Sequence, residues 1–596
     1  MNFKKSSMLL MVMLLVLSIF LAACNSGDKE EGKTEDPGTT ENNDNDEKDE
    51  DSGDEQPAND GPVKGGTLTY AMESEFEGLL DLAFYGIASD AEILGFINEG
   101  MYSYDENLQP IPWLADWTVS DDNLTYTFTL VQDDIKWHNG ETLTMEDWVF
   151  ALETIAHPDY TGPRYNYVQN VVGAEEYHAG EADSISGLVM SDDKQTLEVT
   201  FTKAAINNLT NLWSYPMAKA AFESIPVAEM EESDPVRKNP VGVGPFKVTN
   251  VLPGEAVEMV AHTDYWRGAP NLDKVIVKVI DGALTVGELE TGNIHMTAFH
   301  PSILEQVQAL DNVEIVEVPG LSYYYIGFKM GKWDGSKNIY DPNNKYASKN
   351  LRKAMLYAIN RQEWVDAFFN GLGGPVNTPS PSAHWITASN DELPNNYTYD
   401  PAKAEELLDE AGYVDVDGDG FREDPNGDKF VINFGHYDTG NPTYEARARA
   451  ITQYWGDVGL QAELVMTEVN LYYDMVEKDD PTIEAFYGGW GTGADPDPSG
   501  LWNETALWNY PRWVNDEANA LLDDALDMDL LKDANGNIDN DKRKEIYIQW
   551  QSIVNEELPM LPIMELRDAW AINENVKGIT FGVNGTNPAN EWWIEQ

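Results

Sequence analysis

The sequence predicts an α/β protein in which strands and helices are mixed along the folded part of the chain. The segments TLTYAM (67–72) and LTYTFTL (124–130) alternate polar and apolar side chains, as half-buried strands do. In TMEDWVFALETIA (144–156) the apolar residues recur at helical spacing. With 596 residues, 42% of them hydrophobic, the chain is long enough for two to four domains with an ample core.

The N-terminus predicts export. Lys4 and Lys5 precede an apolar run from Met8 to Phe20, which at about thirteen residues is too short to span a bilayer comfortably and is typical of a secretory signal. The run ends in LAAC, where Cys24 is the only cysteine of the chain. This ending resembles the bacterial lipobox. It implies that residues 1–23 are cleaved off and that acylated Cys24 holds the protein on the outer face of the cytoplasmic membrane, in the periplasm if the cell is Gram-negative.

Residues 24–62 have almost no apolar and no aromatic side chains and are rich in acids. Such a segment cannot bury enough surface to offset the entropy of ordering, so we expect an extended, disordered tether. The formal charge of the whole chain is -66, and the folded part carries most of it. An acidic surface of this kind excludes nucleic acid and a bare anionic bilayer as partners, because each contact would add repulsion.

Several further elements follow along the folded part. Asn139-Gly140 predicts a turn after the second alternating segment, and Thr144 is a candidate N-cap for the helix that follows it. Asp400, Pro401 and Gly412 are a cap, a first helical residue and a terminator for another helix. Further helices are predicted at 349–369, 444–459 and 541–557.

Motifs of secreted hydrolases do not occur in the sequence. It contains no G-x-S-x-G elbow, no H-E-x-x-H zinc helix and no P-loop. The nearest pair among the eight histidines is His295 and His300, whose separation of five residues does not suit a shared helix face. We therefore expect a protein that is not an enzyme and requires no cofactor.

An Asp-rich loop, DVDGDGFREDPNG (415–427), is a candidate calcium site. Asp415, Asp417 and Asp419 occupy alternate positions, and Gly420 at the sixth place permits a sharp turn. Asn426 replaces the bidentate glutamate of an EF-hand, and Glu423 could compensate for it. Structural Ca2+ and a plain acidic turn both remain open.

Several segments resemble one family of binding proteins. YTFTLVQDDIKWHNGETLTMEDWVFALE (126–153) is similar to the signature of the extracellular solute-binding proteins of the oligopeptide, dipeptide and nickel class, family 5, which centres on K-W-H-N-G-E and a following T-x-E-D helix. Further blocks resemble the family in the family's order: GGTLTYA (65–71), NPVGVGPFKV (239–248), DYWRGAPNLDKV (264–275), LRKAMLYAINRQEWV (351–365) and YDPAKAEELLDEAG (399–412). Together they extend over nearly the whole chain from about residue 64.

The resemblance implies a bilobal fold of the periplasmic-binding-protein type (type II, large peptide-binding class), with an extra subdomain in lobe I. Lobe I would comprise 63–325, with the subdomain at about 105–235, lobe II would comprise 326–560, and 561–596 would return to lobe I. Crossing strands are expected near 321–330 and 561–570. We expect a monomer that captures oligopeptides and delivers them to an ABC permease and its ATPases, because the large size favours peptides. A nickel chelate, haem or a short glycan is the alternative ligand.

The resemblance also assigns a site in GGWGTGADPDPSGLW (488–502). Asp495 would bind the ligand's amino group, Trp490 would form a wall, and the backbone at Gly489 and Gly491 would pair with the peptide. The segment is one residue longer than in the best-known peptide receptors, so Asp497 is an alternative amine ligand. Both aspartates could instead simply initiate Asp-Pro turns.

Overall fold

The computed structural model describes residues 61–438, 442–533, 538–583 and 585–595. The predicted signal peptide, Cys24 and the tether up to residue 60 lie outside these residues. The chain from Gly61 onward forms one compact unit.

A mixed sheet of eleven strands runs through this unit. In spatial order ten of its strands are Gln461–Glu468, Val431–Asp438, Ala485–Gly491, Val313–Phe328, Met560–Asn573, Met296–Ala298, Thr67–Met72, Lys274–Val279, Ala256–Ala261 and Phe246–Leu252, and Gly373–Gly374 also pairs with Met560–Asn573. Parallel pairs occur on both sides of the two longest strands, Val313–Phe328 and Met560–Asn573. Thr67–Met72 is parallel to Lys274–Val279, and Val431–Asp438 is parallel to Gln461–Glu468.

The two longest strands, Val313–Phe328 and Met560–Asn573, join the two sides of the sheet. They are antiparallel and pair from Val313 with Asn573 to Gly327 with Met560, with two irregularities in register. Thus each strand begins among one group of strands and ends among the other.

Separate hydrophobic cores lie on the two sides of these long strands. One core, which we call lobe I, contains Leu68, Phe96 and Val275. The other, lobe II, contains Phe434 and Trp455 among many aromatic side chains. This is the bilobal α/β architecture of the periplasmic-binding fold, as predicted, whereas the exact residue boundaries of the lobes stay a prediction.

A further core belongs to residues between the first strand and Phe246. Phe128, Trp148 and Leu197 are buried there. Phe128 and Leu197 belong to a four-stranded sheet, against which Trp148 packs; its strands are Ala115–Val119, Thr125–Leu130, Thr196–Thr200 and Leu188–Met190.

In the part of the chain that the structure describes, the helices of five or more residues are Ala88–Ile97, Met145–Ala156, Ala174–His178, Thr285–Glu290, Leu304–Gln308, Lys349–Tyr357, Arg361–Phe369, Pro401–Glu410, Pro442–Asp457, Val469–Glu477, Asp516–Asp524 and Asn540–Glu557. As predicted, Thr144 caps Met145–Ala156 in a capping box with Asp147, and Asp400 accepts the N–H of Lys403 at 2.9 Å. Within the described residues, no helix is long and apolar enough to cross a membrane.

The predicted helix at 349–369 is two helices in the structure. Asn360 leaves the helical conformation, with φ -78° and ψ 80°, and its side chain accepts the N–H of Glu363 at 3.3 Å. A residue that caps the N–H groups ahead of it starts a new helix, and apolar spacing alone does not reveal this break.

Candidate functional site

The segment GGWGTGADPDPSGLW lies where a lobe II strand leaves the sheet. The strand Ala485–Gly491 pairs antiparallel with Val313–Phe328, Gly489 opposite Tyr324 and Gly491 opposite Ser322. Its neighbour Val431–Asp438 runs parallel to it. Residues 492–498 therefore form a loop at the carboxyl ends of these strands, the position at which open α/β sheets bind ligands.

Trp490 belongs to an aromatic group on this strand. Its indole N–H donates to the Tyr325 hydroxyl at 3.1 Å, and its ring lies 5.6 Å from that of Tyr510 and 6.1 Å from that of Trp508. Trp508 is 51% exposed, so this group offers an aromatic surface beside the loop.

The two glycines beside Trp490 differ in what surrounds them. A Cβ on Gly489 would lie 2.7 Å from the Tyr324 ring, whereas a Cβ on Gly491 would meet nothing closer than the Ser322 hydroxyl at 3.7 Å. Packing against Tyr324 thus accounts for glycine at 489. The backbone at Gly491 is open to approach.

Asp495 is held in an ion pair. Its Oδ1 lies 3.3 Å from a terminal nitrogen of Arg543, and the side chains are 15% and 5% exposed respectively. Arg543 also donates to the Ala525 carbonyl at 3.1 Å and to the Tyr547 hydroxyl at 3.3 Å, which fixes its position. The carboxylate predicted to bind an amine therefore already has a cationic partner.

Asp497 accepts hydrogen bonds on one carboxylate oxygen. Its Oδ1 accepts the N–H and the hydroxyl of Ser499 at 3.0 and 2.6 Å, whereas its Oδ2 has no hydrogen-bond partner among the described residues. Burial raises the pKa of Asp497, and the charge of Asp495 adds to this effect. Two carboxylates beside one guanidinium leave one net negative charge at the loop.

Both aspartates also initiate the tight turns that the sequence predicts as an alternative to ligand binding. Asp495 accepts the N–H of Asp497 at 2.9 Å, and Asp497 accepts the N–H of Ser499, each two residues ahead. The turn role and the binding role are compatible, because each turn uses one carboxylate oxygen.

A cavity of about 190 Å³ lies against the loop and is lined by both aspartates, His384, Trp508 and Trp550 among others. The hydroxyl of Thr492 donates to the Leu321 carbonyl, so the contact of 2.7 Å between His384 Nε2 and this hydroxyl requires that Nε2 carries the proton. Burial lowers the pKa of His384 to about 4, and the residue is neutral at pH 7.

Sequence reasoning missed His384 and Arg543. Neither belongs to a motif, since His384 lies in a proline- and serine-rich loop and Arg543 lies among the charged residues of a predicted helix. Only the fold brings them within contact distance of the segment.

A larger cavity, of about 500 Å³, lies in lobe I, and Tyr104 is one of its lining residues. Burial raises the pKa of Tyr104, with smaller contributions from Tyr215 and from the charge of Asp495 in lobe II. Nearby, the side-chain amide of Asn540 donates to the side chain of Gln109 at 3.0 Å. Asn540 lies one helical turn before Arg543. The two cavities therefore lie on opposite lobes close to the same contact.

The Asp-rich loop brings three of its predicted ligands together. Carboxylate oxygens of Asp415, Asp417 and Asp419 all lie within 4.8 Å of one another, and the three residues are exposed. Glu423 is instead largely buried, and its carboxylate accepts the N–H of Val416 at 2.8 Å.

Comparison with known proteins assigns the chain to a protein family. Residues 109–509 match the model of the bacterial extracellular solute-binding proteins, family 5. The chain belongs to this family. The oligopeptide-binding protein OppA of Lactococcus lactis subsp. cremoris is 25% identical over 516 residues, 83% of this chain and 84% of that protein. The heme-binding protein A of Haemophilus influenzae is 27% identical over 489 residues, 78% of this chain and 81% of that protein.

The fold also agrees with solved structures of the family. Lactococcal OppA, complexed with an endogenous peptide in the closed conformation, superposes with a TM-score of 0.70 at 23% identity, covering 89% of this chain and 100% of that one. The resemblance by which the sequence was assigned to this family is thus confirmed. The family consists of bacterial extracellular solute-binding proteins.

We predict that Arg543→Met lowers the free energy of unfolding by about 3 kcal/mol, because it leaves the largely buried Asp495 carboxylate without its counter-ion. Urea unfolding measures the change. Asp495→Asn in the same chain should recover part of the loss. Lys544→Met, which removes the neighbouring positive charge of the same helix, is the control, and equal stability of the two single variants would contradict the prediction.

Proposed function

We propose that this protein is the lipid-anchored receptor of an ABC importer, which captures oligopeptides between its two lobes and delivers them to a permease. The observation that carries the proposal is the strand end at Gly491, an open backbone next to a net negative charge and an aromatic surface. An extended peptide can pair with such a backbone whatever its sequence, while its ammonium group is attracted to the carboxylates.

The lobe I cavity favours a peptide over haem. None of the described residues that line it is a lysine, arginine or histidine, whereas the propionates of haem call for cationic partners. Mass spectrometry of material released from the purified protein by mild denaturation tests the proposal directly. Peptides are expected, and a haem or metal complex in their place would overturn it.

Within this function, we assign the ligand's ammonium group to Oδ2 of Asp497. Asp495 has a smaller role, because its charge is already paired with Arg543. Asp497→Asn is expected to weaken binding of a free tripeptide at least about tenfold, and Asp495→Asn less, because a charge-assisted hydrogen bond contributes about 1.5–3 kcal/mol. Calorimetry with free and N-acetylated tripeptides measures both effects. Unchanged affinity in both variants rejects an amine role for either aspartate.

The anchor belongs to the same proposal. Acyl chains on Cys24 would bury their methylenes in the membrane, and residues 25–62 would act as a tether that repels the anionic surface. Cys24→Ser is expected to release the protein into the soluble fraction, as fractionation and immunoblotting would show. Ser26→Ala, two residues further on, is the control and should stay with the membrane. Membrane retention of the Cys24 variant would contradict the anchor.

We further propose that Asp415, Asp417 and Asp419 bind a structural Ca2+. Three converging carboxylates repel one another and suit a hard cation. Addition of about 1 mM CaCl2 to the chelated protein should raise its melting temperature, and Asp417→Asn should abolish the rise. A melting temperature that is the same in excess EGTA and in calcium would overturn the site.

A further inference from the structure

The lobe I cavity is aromatic and acidic. The rings that line it are Tyr70, Tyr85, Phe96, Tyr102, Tyr104, Trp113, Tyr215, Trp570 and Trp592, and its two ionisable carboxylates belong to Glu92 and Glu99. Aromatic faces attract cations through their quadrupole, and a carboxylate does so through its charge. A cavity with both is complementary to an organic cation.

Glu99 has a complete set of partners within the protein. The carboxylate accepts hydrogen bonds from the Trp113 indole and the Tyr265 hydroxyl, one on each oxygen. Burial raises the pKa of Glu99 to about 6, although these two hydrogen bonds and the charge of Arg267, which lies 4.1 Å from the centroid of the Trp113 ring, act to lower it. Glu99 therefore holds this part of lobe I together.

Glu92 differs from Glu99 in its surroundings. It lies two helical turns earlier on Ala88–Ile97, and its Oε2 accepts a hydrogen bond from the Tyr70 hydroxyl. Its Oε1 has no hydrogen-bond or ion-pair partner among the described residues, and the residue is exposed. The Tyr70 ring, fixed by that bond, lies 5.9 Å from the Trp570 ring. Glu92 thus carries an unneutralised charge at the edge of an aromatic cluster.

The arginines near this cavity do not neutralise Glu92. Arg164 lies over the Tyr85 ring at 4.2 Å and donates to the Tyr85 carbonyl, and Arg267 lies over Trp113 beside Glu99. Neither forms an ion pair with Glu92 within 4.0 Å. Among the described residues no lysine or arginine forms an ion pair with Glu92, so a cationic group of a ligand would supply its counter-ion.

The cavity is placed to receive part of a ligand held at the lobe II loop. Tyr104, one of its lining residues, pairs with Pro110 in a short antiparallel ladder, and the side chain of the preceding residue, Gln109, accepts a hydrogen bond from Asn540 of lobe II at 3.0 Å. A volume of about 500 Å³ also exceeds what one large side chain requires.

We propose that the lobe I cavity binds a cationic side chain, lysine or arginine, of the captured peptide, with Glu92 as its counter-ion and the ring of Trp570 or Tyr70 beside it. This deepens the proposed function and rests on it. The receptor then selects basic peptides by a defined subsite and not only by its overall negative charge.

The test compares pentapeptides of alanine and serine in which one residue is lysine, norleucine or glutamine, moved through all five positions. Calorimetry at 150 mM NaCl should show one lysine position that binds about tenfold more tightly than its norleucine and glutamine counterparts. Glu92→Gln keeps an acceptor for the Tyr70 hydroxyl but removes the charge, and it should abolish the lysine preference while leaving the neutral peptides unchanged.

Glu255→Gln is the matched control, since it removes an exposed charge of lobe I in a turn that does not line the cavity. It should keep the full lysine preference. If both variants lost the lysine preference equally, the preference would come from the overall negative charge of the protein, and the subsite would be overturned. Binding of all peptides without any lysine preference would overturn the subsite and leave the peptide function intact. Failure of every peptide to bind would overturn both.

Discussion

The pairing of Val313–Phe328 with Met560–Asn573 is the constraint on which the rest of the molecule depends. Each strand contributes to both sides of the sheet, so the hydrogen bonds between them connect two hydrophobic cores that otherwise pack separately. Antiparallel strands twist and bend without losing their bonds, and the irregularities near Pro319 and Tyr324 lie in the middle of this pair. A connection of this kind lets two rigid lobes change their relative angle about a narrow region.

The charges on the two walls of the cleft beside these paired strands determine which ligands it can bind. The lobe II loop balances two aspartates with one buried arginine, and in lobe I Glu99 is hydrogen-bonded on both oxygens whereas Glu92 is hydrogen-bonded on one. Each wall of the cleft thus carries a net negative charge. Because a peptide always brings an ammonium group and often a basic side chain, the two walls can share one ligand without either lobe carrying a large unpaired charge in the closed state.

Some features of the site followed from local sequence, and others did not. The Asp-Pro pairs predict tight turns, and the structure has these turns because each aspartate accepts the N–H two residues ahead. The partner of Asp495 could not be predicted, since Arg543 is 48 residues away and differs in no local respect from neighbouring charged residues. The same holds for Glu92, which lies on Ala88–Ile97, and Glu99, which follows the end of that helix: they are seven residues apart but face different environments.

The sequence by itself determined the family, the mixed α/β class, the capped helices and the acidic character, because these depend on ordered motifs, residue periodicity, capping chemistry and composition. Only the tertiary structure decided which carboxylates already have cations and which do not. That distinction depends on distances between residues far apart in the chain, and neither composition nor spacing encodes those distances.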